Sequence, residues 1–415
     1  MSAPKYDLIV FGATSFVGQI LARYLVDQYG VNGDLKWAAA GRSQSKLEDV
    51  RKALGPQAAA LPLIVADASD EAALREMCGQ TRTVVSTVGP YAVYGEPLVK
   101  VCAQGGTDYC DLTGEVQWVH RMIERYEADA LASGARIVHC CGFDSIPSDM
   151  GVYQIQQEAV ARFGKPLHRI RMGVKAMKGG ASGGTVASMI NVVEEAIADP
   201  GLRKKLADPY LLCPPAHPFK KRQPDVRSAQ YDPGFASWLA PFVMAGVNTR
   251  VVHRSNALLQ AGYGADFQYD EALLTGKGFK GGTAAWGVTG GLGGFMVGAA
   301  LPPTRWLLQR FVLPKPGEGP SPAAQASGYF DLRFLGETDD GQPLALKVTG
   351  DADPGYGSTA KMLGEAALCL TRDIAKQDKA GGFWTPSTLF GDPLVHRLRT
   401  HAGLTFEVLE TPTVA

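Results

Sequence analysis

Short apolar runs alternate with amphipathic stretches over the first part of the chain. The runs are too short for helices and end at Gly or Asp, which is typical of buried strands in a parallel sheet. The predicted strands are 7–11, 35–40, 63–66, 83–88 and 136–140, and the predicted helices are 17–29, 45–54, 71–78 and 97–104. Strands that alternate with helices require right-handed crossovers, so the pattern predicts an α/β fold with a doubly wound parallel sheet.

The pattern changes after residue 150. Several runs there alternate apolar and polar positions, as half-buried strands do. They are 167–177, 247–259, 329–334, 344–348 and 404–408, with helices predicted at 185–198 and 358–375 and a rigid connector at 314–322. We therefore expect two domains, residues 1–150 with the parallel sheet and residues 151–415 with a second, mixed sheet of α/β type.

Charge and cysteine content narrow the class of protein. Basic and acidic residues number 41 each, and a net charge of zero does not suit a nucleic-acid binder, which needs a basic surface. The seven cysteines include no CxxC pair, so neither a disulfide framework nor a zinc cluster is expected. The first residues carry no long apolar stretch behind a charged segment. These features predict a protein of a reducing compartment, the cytoplasm.

The first predicted strand is followed by a glycine-bounded turn that opens a helix. In nucleotide-binding folds the first glycine allows the tight turn, the last lets helix and strand pack closely, and the helix N-terminus offers N–H groups to a pyrophosphate. Ser15 stands where the usual pattern has its middle glycine. We predict that a dinucleotide binds at Gly12, Ala13, Thr14, Ser15, Phe16, Val17 and Gly18. The alternative is an α/β turn without a ligand.

The end of the second strand indicates which dinucleotide binds. An NAD site places Asp or Glu there, against the ribose hydroxyls. Here no carboxylate follows the strand before Glu48; the strand is followed by Arg42, Ser43 and Lys46, and a guanidinium can bind a 2′-phosphate. We predict NADPH rather than NADH, the alternative being that Arg42 and Lys46 form a solvated helix start. Asp67, after the third strand, either accepts a hydrogen bond from adenine or caps the next helix.

Motifs further along the chain resemble those of a known family. They are VGPYAVYGEP at 88–97, TDYCDLTGE at 107–115, CGFDSIPSD at 141–149, SGGT at 182–185, WLAPFVM at 238–244, DPGY at 353–356 and GFWTP at 382–386. This set resembles the saccharopine-dehydrogenase-like oxidoreductases, which include the mycobacterial trans-acting enoyl reductases. The resemblance covers nearly the whole chain. It implies a Rossmann domain, a second α/β domain, NADPH, and reduction of a double bond in polyketide-derived lipids.

The first of these motifs follows the fourth strand, where a nicotinamide ring lies in this fold. Val88, Gly89 and Pro90 are therefore predicted to border the ring. Reduction of an enoyl thioester builds negative charge on the thioester oxygen and needs a proton at the α-carbon. A phenol can donate in both roles, so Tyr91 and Tyr94 are catalytic candidates, with Tyr94 favoured. Alternatively, both tyrosines pack against the cofactor or bond to backbone.

The CGFDSIPSD motif lies where the sheet meets the second domain, and ligands collect at the carboxyl ends of parallel strands. Asp144 and Ser145 are candidates there, and Ser145 is predicted to contact the cofactor amide or the substrate. Ser148 and Asp149, before an apolar helix, fit a cap. His139 lies on an apolar strand and fits a core histidine better than an acid. Because no metal-binding or phosphoryl-transfer motif occurs, no metal is expected.

A glycine-rich stretch at 281–304 has 24 residues without a charge. Its length would cross a bilayer, and its small residues four apart would permit close helix contact in lipid. Its eight glycines and its Pro302–Pro303 pair disfavour a spanning helix. Three interpretations stay open: an amphiphilic or re-entrant hairpin that meets lipid or lines an apolar tunnel, burial in the core or a dimer interface, and a spanning helix.

Three functions are compatible with the sequence. The first is NADPH-dependent reduction of an enoyl group on an apolar acyl or polyketide substrate, free or carrier-linked. The second is a saccharopine-reductase-like imine reductase of amino acids, which would need arginines such as Arg171, Arg250 and Arg254 for substrate carboxylates. The third is a non-catalytic nucleotide-binding protein at a lipid surface. We further expect a homodimer, contact with the inner face of the membrane, and no nucleic-acid partner.

Overall fold

The computed structural model describes residues 4–180, 183–307 and 319–410. The amino-terminal part of the chain forms most of a sheet of seven parallel strands. Its strands are β1 (Tyr6–Phe11), β2 (Trp37–Gly41), β3 (Leu63–Val65), β4 (Thr81–Ser86), β5 (Asp108–Asp111), β6 (Arg136–Val138) and β13 (Gly382–Trp384). They lie in the order β13-β6-β5-β4-β1-β2-β3. Successive strands are added outward from β1 on one side and from β4 on the other, and ligands collect at such a switch point between neighbouring parallel strands. The doubly wound parallel sheet is confirmed.

Helices cover this sheet. They are α1 (Phe16–Tyr29), α2 (Gln44–Leu54), α3 (Glu71–Cys78), α4 (Tyr91–Tyr94), α5 (Glu96–Gly105) and α6 (Val116–Ser133). Three of these helices have a side-chain cap at the N-terminus. Ser15, Ser43 and Asp70 accept hydrogen bonds from backbone N–H groups in the first turns of α1, α2 and α3, respectively. All the strands and helices predicted for the first 150 residues are present, within a few residues at their ends.

The sequence pattern missed β5 and α6. Strand β5 carries two aspartates and is nevertheless buried. Asp108 binds the guanidinium of Arg136 on β6 and the ammonium of Lys376, and Asp111 lies 2.7 Å from Nδ1 of His139, which is a core histidine as expected. A strand with charged residues can be buried when each carboxylate has a polar partner. The hydrophobic pattern of the sequence contains no information on such partners, so it does not predict this strand.

The second sheet also has seven strands. They are β7 (Arg169–Lys178), β8 (Gln230–Asp232), β9 (Ser237–Pro241), β10 (Gln268–Gly276), β11 (Tyr329–Glu337), β12 (Pro343–Gly350) and β14 (Leu404–Leu409). They lie in the order β14-β12-β11-β7-β10-β9-β8. Strands β7 and β10 are parallel and the remaining pairs are antiparallel. The expectation of a second, mixed sheet is confirmed.

The helices of the second half include one that was predicted as a strand. They are α7 (Ile146–Phe163), α8 (Gly183–Ala198), α9 (Pro200–Leu206), α10 (Ala245–Leu258), α11 (Gly278–Ala300), α12 (Pro302–Leu307), α13 (Pro322–Ala326), α14 (Gly357–Leu368) and α15 (Pro386–Thr400). The strand predicted at 247–259 is wrong, because these residues belong to α10. Polar residues that suggested an exposed strand face, such as Asn248 and Ser255, are buried and hydrogen-bonded. Of the predicted connector, residues 314–318 lie outside the described residues.

The carboxyl-terminal part of the chain returns to the first sheet. Strand β13 adds an edge strand there, although it lies well beyond residue 150. Helix α14 packs against α1, where a Cβ on Gly364 would lie only 3.1 Å from the ring of Tyr24. The buried carboxylate of Glu365 accepts hydrogen bonds from Tyr24 at 2.7 Å and Tyr29 at 2.6 Å. These contacts join the first sheet to the second half of the chain.

The glycine-rich stretch 281–304 forms most of α11 and the start of α12. It is therefore neither a hairpin nor a core element, since only Gly281, Gly282, Ala285 and Ala299 of α11 are buried. Among the described residues, no helix combines the length and the hydropathy that crossing a bilayer requires. The interpretation as a spanning helix is wrong, because glycines lower the mean hydropathy of the stretch.

Candidate active site

The phosphate loop, residues 12–18, has the close packing that its glycines predict. Gly12 has φ +89°, and a Cβ there would lie 2.6 Å from Cγ2 of Val88. A Cβ on Gly18 would lie 2.1 Å from the carbonyl oxygen of Gly12. Larger side chains are excluded at both positions. The two glycines thereby bring β1, the N-terminus of α1 and the end of β4 close together.

Ser15 fits its position because the backbone there does not require glycine. It is extended, with φ −72° and ψ 164°, and it is the N-cap of α1. Its hydroxyl accepts a hydrogen bond from the N–H of Gly18 at 2.9 Å and lies 3.0 Å from Oγ1 of Thr87. The departure from the usual glycine therefore costs no backbone strain and supplies a helix cap.

The phosphate loop suits a pyrophosphate. The first N–H groups of a helix have no intrahelical acceptor, which leaves those of Phe16 and Val17 available at the start of α1. Thr14, Phe16 and Val17 are partly exposed around this point, whereas Ala13 is buried. No acidic residue lies in the first turn of α1 to repel an anion. The residues present therefore fit the diphosphate of a dinucleotide.

The end of β2 presents two exposed basic side chains. Arg42 and Lys46 are both exposed. Ser43 caps α2, accepting a hydrogen bond from the N–H of Lys46 at 3.4 Å, so its hydroxyl is partly occupied by the helix. The arrangement leaves Arg42 and Lys46 accessible to the 2′-phosphate that the sequence predicts for them.

Asp67 lies beside Arg42 at the end of β3. Its carboxylate accepts hydrogen bonds from the N–H and the hydroxyl of Ser69, and these bonds, assisted by the charge of Arg42, lower its pKa. The cap of α3 is Asp70, which accepts from the first two free N–H groups of that helix. Asp67 therefore does not cap α3, and of its two interpretations the contact with adenine stays a prediction.

Val88, Gly89 and Pro90 connect β4 to α4 directly beside the phosphate loop. The side chain of Val88 lies against Gly12, Gly89 is exposed, and the Gly89–Pro90 peptide bond is cis. The segment predicted to border the nicotinamide thus lies in contact with the loop predicted to bind the diphosphate.

Tyr91 and Tyr94, both on α4, have different surroundings. Tyr91 is buried, and its hydroxyl donates a hydrogen bond of 2.9 Å to the carbonyl of Ser86. Burial raises the pKa of this phenol well above its usual value. Tyr94 is 47% exposed. The geometry favours the bonding to backbone for Tyr91, while the role predicted for Tyr94 stays a prediction.

Glu115, which the sequence did not single out as a site residue, holds this segment in place. Its two carboxylate oxygens accept hydrogen bonds from the N–H groups of Tyr91 at 2.8 Å and Ala92 at 2.9 Å. Ser188 of α8 donates a further bond of 2.9 Å. Burial raises the pKa of Glu115 in spite of these bonds. The available signal was its place at the end of the TDYCDLTGE motif.

The 140–145 loop, between β6 and α7, contains two non-glycine residues with left-handed backbones. Cys140 has φ 63° and Ser145 has φ 105°, and such conformations persist only where the surroundings enforce them. The N–H of Phe143 donates to Oγ1 of Thr359 on α14 at 2.9 Å, and the hydroxyl of Ser145 donates to Oδ1 of Asn248 on α10 at 3.0 Å. Ser145 is fully buried. Its hydroxyl serves this internal bond, and its predicted contact with a ligand stays a prediction.

Asp144 lies between these anchored residues and has no hydrogen-bond partner among the described residues. It lies beside the segment that follows β5, since a Cβ on Gly114 would be 3.3 Å from its Oδ2. The side chain is partly exposed, yet it is enclosed deeply enough that burial raises its pKa to about 7. A carboxyl of that pKa is poised to give up or take a proton near neutrality. Asp144 is therefore a better candidate for proton transfer than its neighbour Ser145, whose hydroxyl is engaged in an internal hydrogen bond.

A buried carboxyl group continues the hydrogen-bond chain behind Ser145. Nδ2 of Asn248 donates to Glu271 at 2.8 Å, and the hydroxyl of Tyr269 donates to the same carboxyl at 2.7 Å. Burial raises the pKa of Glu271 to about 7. Sequence reasoning missed both residues, because Asn248 was placed on a strand and β10, which carries Glu271, was not predicted at all.

The three arginines that an amino-acid substrate would need are engaged elsewhere. Arg171 pairs with Asp232 at 2.5 Å. Arg250 and Arg254 each donate to two backbone carbonyls, and Arg254 is buried. These guanidinium groups therefore already bind carboxylate or carbonyl oxygens of the protein.

The fold and the phosphate loop define the class of protein. Residues 8–138 match the saccharopine dehydrogenase NADP binding domain, which is the region that contains the phosphate loop, Arg42 and Glu115. The strand order, the loop geometry and this match together make the protein an NAD(P)-dependent oxidoreductase with a Rossmann domain.

Relatives along the whole chain define the family more closely. The chain is 42% identical to a Mycobacterium tuberculosis protein provisionally named a trans-acting enoyl reductase, over 95% of each chain. It is 37% identical to the trans-acting enoyl reductase of Mycobacterium ulcerans, over 95% of this chain and 96% of that one. The protein belongs to the saccharopine-dehydrogenase-like oxidoreductases, in the branch of the trans-acting enoyl reductases.

A solved structure shares the fold. The saccharopine dehydrogenase (L-Glu forming) of Saccharomyces cerevisiae aligns over 97% of this chain and 100% of its own, with a TM-score of 0.54 and 14% identity. At that identity the similarity shows the arrangement of the two sheets.

Proposed function

We propose that the protein is an NADPH-dependent enoyl reductase that acts on an apolar acyl or polyketide substrate, free or carrier-linked. The observation that carries the proposal is the kinship, over 95% of the chain, with relatives named trans-acting enoyl reductases. The exposed guanidinium of Arg42 and the absence of a carboxylate directly after β2 support NADPH over NADH.

The chemistry divides between the cofactor and the chain. Reduction of an enoyl thioester adds a hydride at the β-carbon and a proton at the α-carbon, and bound NADPH supplies the hydride. Asp144 is the proton donor in this proposal, because its carboxyl is unpaired within the described residues and has a pKa of about 7. Tyr94 is the candidate donor to the thioester oxygen. Glu115 positions the segment between β4 and α5 by binding two of its N–H groups.

An imine reductase of amino acids has less support. Its substrates carry carboxylates, which proteins bind best with unengaged arginines. Arg171, Arg250 and Arg254 are all bonded to protein atoms. The similarity to a saccharopine dehydrogenase concerns the fold and does not bring its substrate to this chain.

The test is a substrate panel with purified protein. NADPH absorbance is followed with enoyl thioesters of pantetheine of short, medium and long chain, and the saturated product is identified by mass spectrometry. The proposal expects turnover that improves with chain length. A parallel reaction contains a keto acid with lysine or glutamate. The proposal fails if the protein binds NADPH but turns over no enoyl thioester, or if only the keto acid mixture consumes NADPH.

A further inference from the structure

Helix α11 carries a row of exposed apolar side chains. Phe279 is 87% exposed, Trp286 58% and Val297 61%. Positions 279, 286, 290, 293 and 297 follow helical spacing, so they lie on one side of α11. Exposed apolar residues continue just past the helix with Leu301 and Trp306. We call this surface the α11 face and define it by the side chains of Phe279, Trp286, Met296, Val297, Leu301 and Trp306.

The opposite side of α11 is attached to the protein at both ends. Near its start, a Cβ on Gly282 would lie 3.1 Å from the indole of Trp238. Near its end, Ala299 packs with Ile190 and Val193 of α8. The helix is therefore held against the second sheet and α8, and the α11 face points away from them. Contiguous apolar surface of this kind marks a site of interaction with a partner or with lipid.

The charges at the start of the α11 face are basic, and at its far end Arg305 pairs with Glu194 of α8 at 3.0 Å. Between Glu271 and Glu318 the sequence has five basic residues and no acidic one. Lys277 and Lys280 are exposed beside Phe279 at the start of the helix. Apolar side chains with flanking tryptophans and lysines are what a helix lying in the interface of an anionic bilayer presents.

The same charges disfavour a second copy of the chain as the occupant. In a twofold pair each α11 would contact its own copy, and the 272–317 span has no carboxylate to offer Lys277 and Lys280 of that copy. Glu194 of α8, at the other end of the helix, is already paired with Arg305. Lipid phosphates supply the missing negative charge.

The middle of α11 also gains from a lipid environment. In the part of the chain that the structure describes, no neighbouring atom lies within 4 Å of a Cβ placed on Gly287, Gly290, Gly291, Gly293 or Gly294. Each glycine in an exposed helix lowers the stability of the helix relative to alanine. Away from water the backbone must satisfy its hydrogen bonds internally, which favours the helical state.

The α11 face is one helix away from the candidate active site. Helix α8 packs on α11 through Ile190 and Val193, and its Ser188 donates to Glu115 beside the crevice. A bilayer in contact with α11 would thus lie close to the entrance for an apolar substrate. This last point rests on the proposed function, whereas the docking itself does not.

We propose that the α11 face docks the protein onto the surface of an anionic bilayer, with Phe279 and Trp286 inserted among the lipids and Lys277 and Lys280 at the phosphates. The helix lies in the interface plane and does not cross the membrane.

The experiment is flotation of the full-length protein with vesicles. One set contains phosphatidylglycerol and phosphatidylcholine, and the other contains phosphatidylcholine alone. Wild type is expected to float with the anionic vesicles at least about tenfold more than with the zwitterionic ones, and less at high salt. The double variant Phe279→Ser with Trp286→Ser should lower partitioning at least about tenfold. Lys277→Glu with Lys280→Glu should abolish the preference for anionic lipid.

Leu131→Ser, which removes an exposed leucine from α6, is the matched control and should float like wild type. NADPH binding by each variant shows that it is folded. Sedimentation velocity without lipid reports whether the α11 variants dissociate an oligomer. The proposal is overturned if wild type does not bind anionic vesicles, if the double variant binds them equally, or if the variants convert a dimer to a monomer without a change in flotation. Vesicle binding without enoyl reduction would overturn the proposed function alone.

Discussion

Two loops at the carboxyl edge of the first sheet both contain a left-handed backbone, and they achieve it differently. In the phosphate loop, Gly12 adopts φ +89° at little cost because it has no side chain. In the 140–145 loop, Cys140 and Ser145 adopt positive φ with their side chains in place. The second loop is held by hydrogen bonds that it donates to α10 and α14, which come from distant parts of the chain.

The difference follows from what each loop presents. A pyrophosphate is bound by backbone N–H groups, so the phosphate loop needs only the correct chain path. The 140–145 loop presents a side chain, Asp144, whose pKa depends on everything that encloses it. A loop of the first kind is local in the sequence, whereas a loop that presents a carboxyl of raised pKa is assembled by the tertiary structure.

The largest expected effect is on kcat/KM when the carboxyl of Asp144 is removed, and it distinguishes the role of the 140–145 loop from that of the phosphate loop. Asp144→Asn should lower kcat/KM for an enoyl thioester by about 10²–10⁴-fold, because the amide cannot give up a proton. The Kd of NADPH should not change. With a donor of pKa about 7, the kcat/KM of wild type falls as the pH rises above 7, since only the protonated carboxyl donates. This limb of the pH profile should vanish in the variant.

Asp144→Glu is the matched control, since it restores an acid at the same place. It should recover part of the activity and the decline at high pH. An Asp144→Asn enzyme with the wild-type rate and pH profile would show that the proton comes from elsewhere.

The next effect concerns the phosphate loop. Gly12→Ala should weaken NADPH binding about 100-fold, because the new Cβ would lie 2.6 Å from Val88 and the backbone has positive φ. Fluorescence titration of NADPH measures the affinity. Gly30→Ala is the control: Gly30 also has positive φ, but no atom lies within 4 Å of its Cβ position. If both variants lose NADPH affinity to the same extent, the strain at positive φ explains the loss and the close packing at Gly12 does not. If Gly12→Ala binds NADPH like wild type, the predicted contact of this loop with the cofactor is wrong.

A smaller effect tests the choice of dinucleotide. Arg42→Ala should weaken NADPH about tenfold or more and leave NADH unchanged, because only NADPH carries the 2′-phosphate. Lys52→Ala, which removes an exposed cation from helix α2, just after Arg42 in the chain, should change neither affinity. Equal losses for NADPH and NADH would contradict the assignment of Arg42 to the phosphate.

The smallest effect tests the support behind the 140–145 loop. The pKa of Glu271 is raised in the folded protein to about 7, so its contribution to stability is complete below its unfolded pKa and is lost as the pH rises through 7. Glu271→Gln stays neutral. Relative to wild type, the variant should therefore gain on the order of 1–3 kcal/mol in the free energy of unfolding between pH 5 and pH 8.

Urea denaturation at the two pH values measures this difference. Glu76→Gln, on the exposed surface of α3, is the surface control. A pH dependence shared by Glu271→Gln and wild type would mean that other carboxyl groups, such as Asp149 with its pKa of about 6, account for it.

Sequence patterns predicted the parallel sheet well and the parts that join the sheets poorly. Each strand from β1 to β4 is an apolar run with its own turn, so its signal is local. Strand β5 and helix α10 are buried with polar residues that find partners far along the chain, as Asp108 does in Arg136 and Lys376. A pattern of hydrophobic positions assigns such residues to the surface, which is why α10 was mistaken for a half-exposed strand.

The sequence alone determined much of the cofactor-binding part of this protein: the strands β1 to β4 with the helices between them, the positions of Gly12 and Gly18, and the basic residues after β2. These features rest on backbone sterics and short-range periodicity, which act between near neighbours. Only the tertiary structure decided that Tyr91 bonds to the backbone, that Glu115 holds its segment, and that Asp144 has a raised pKa and no hydrogen-bond partner within residues 4–180, 183–307 and 319–410. Those properties depend on burial and on partners brought together from separate elements, and neither is encoded in any single stretch of the chain.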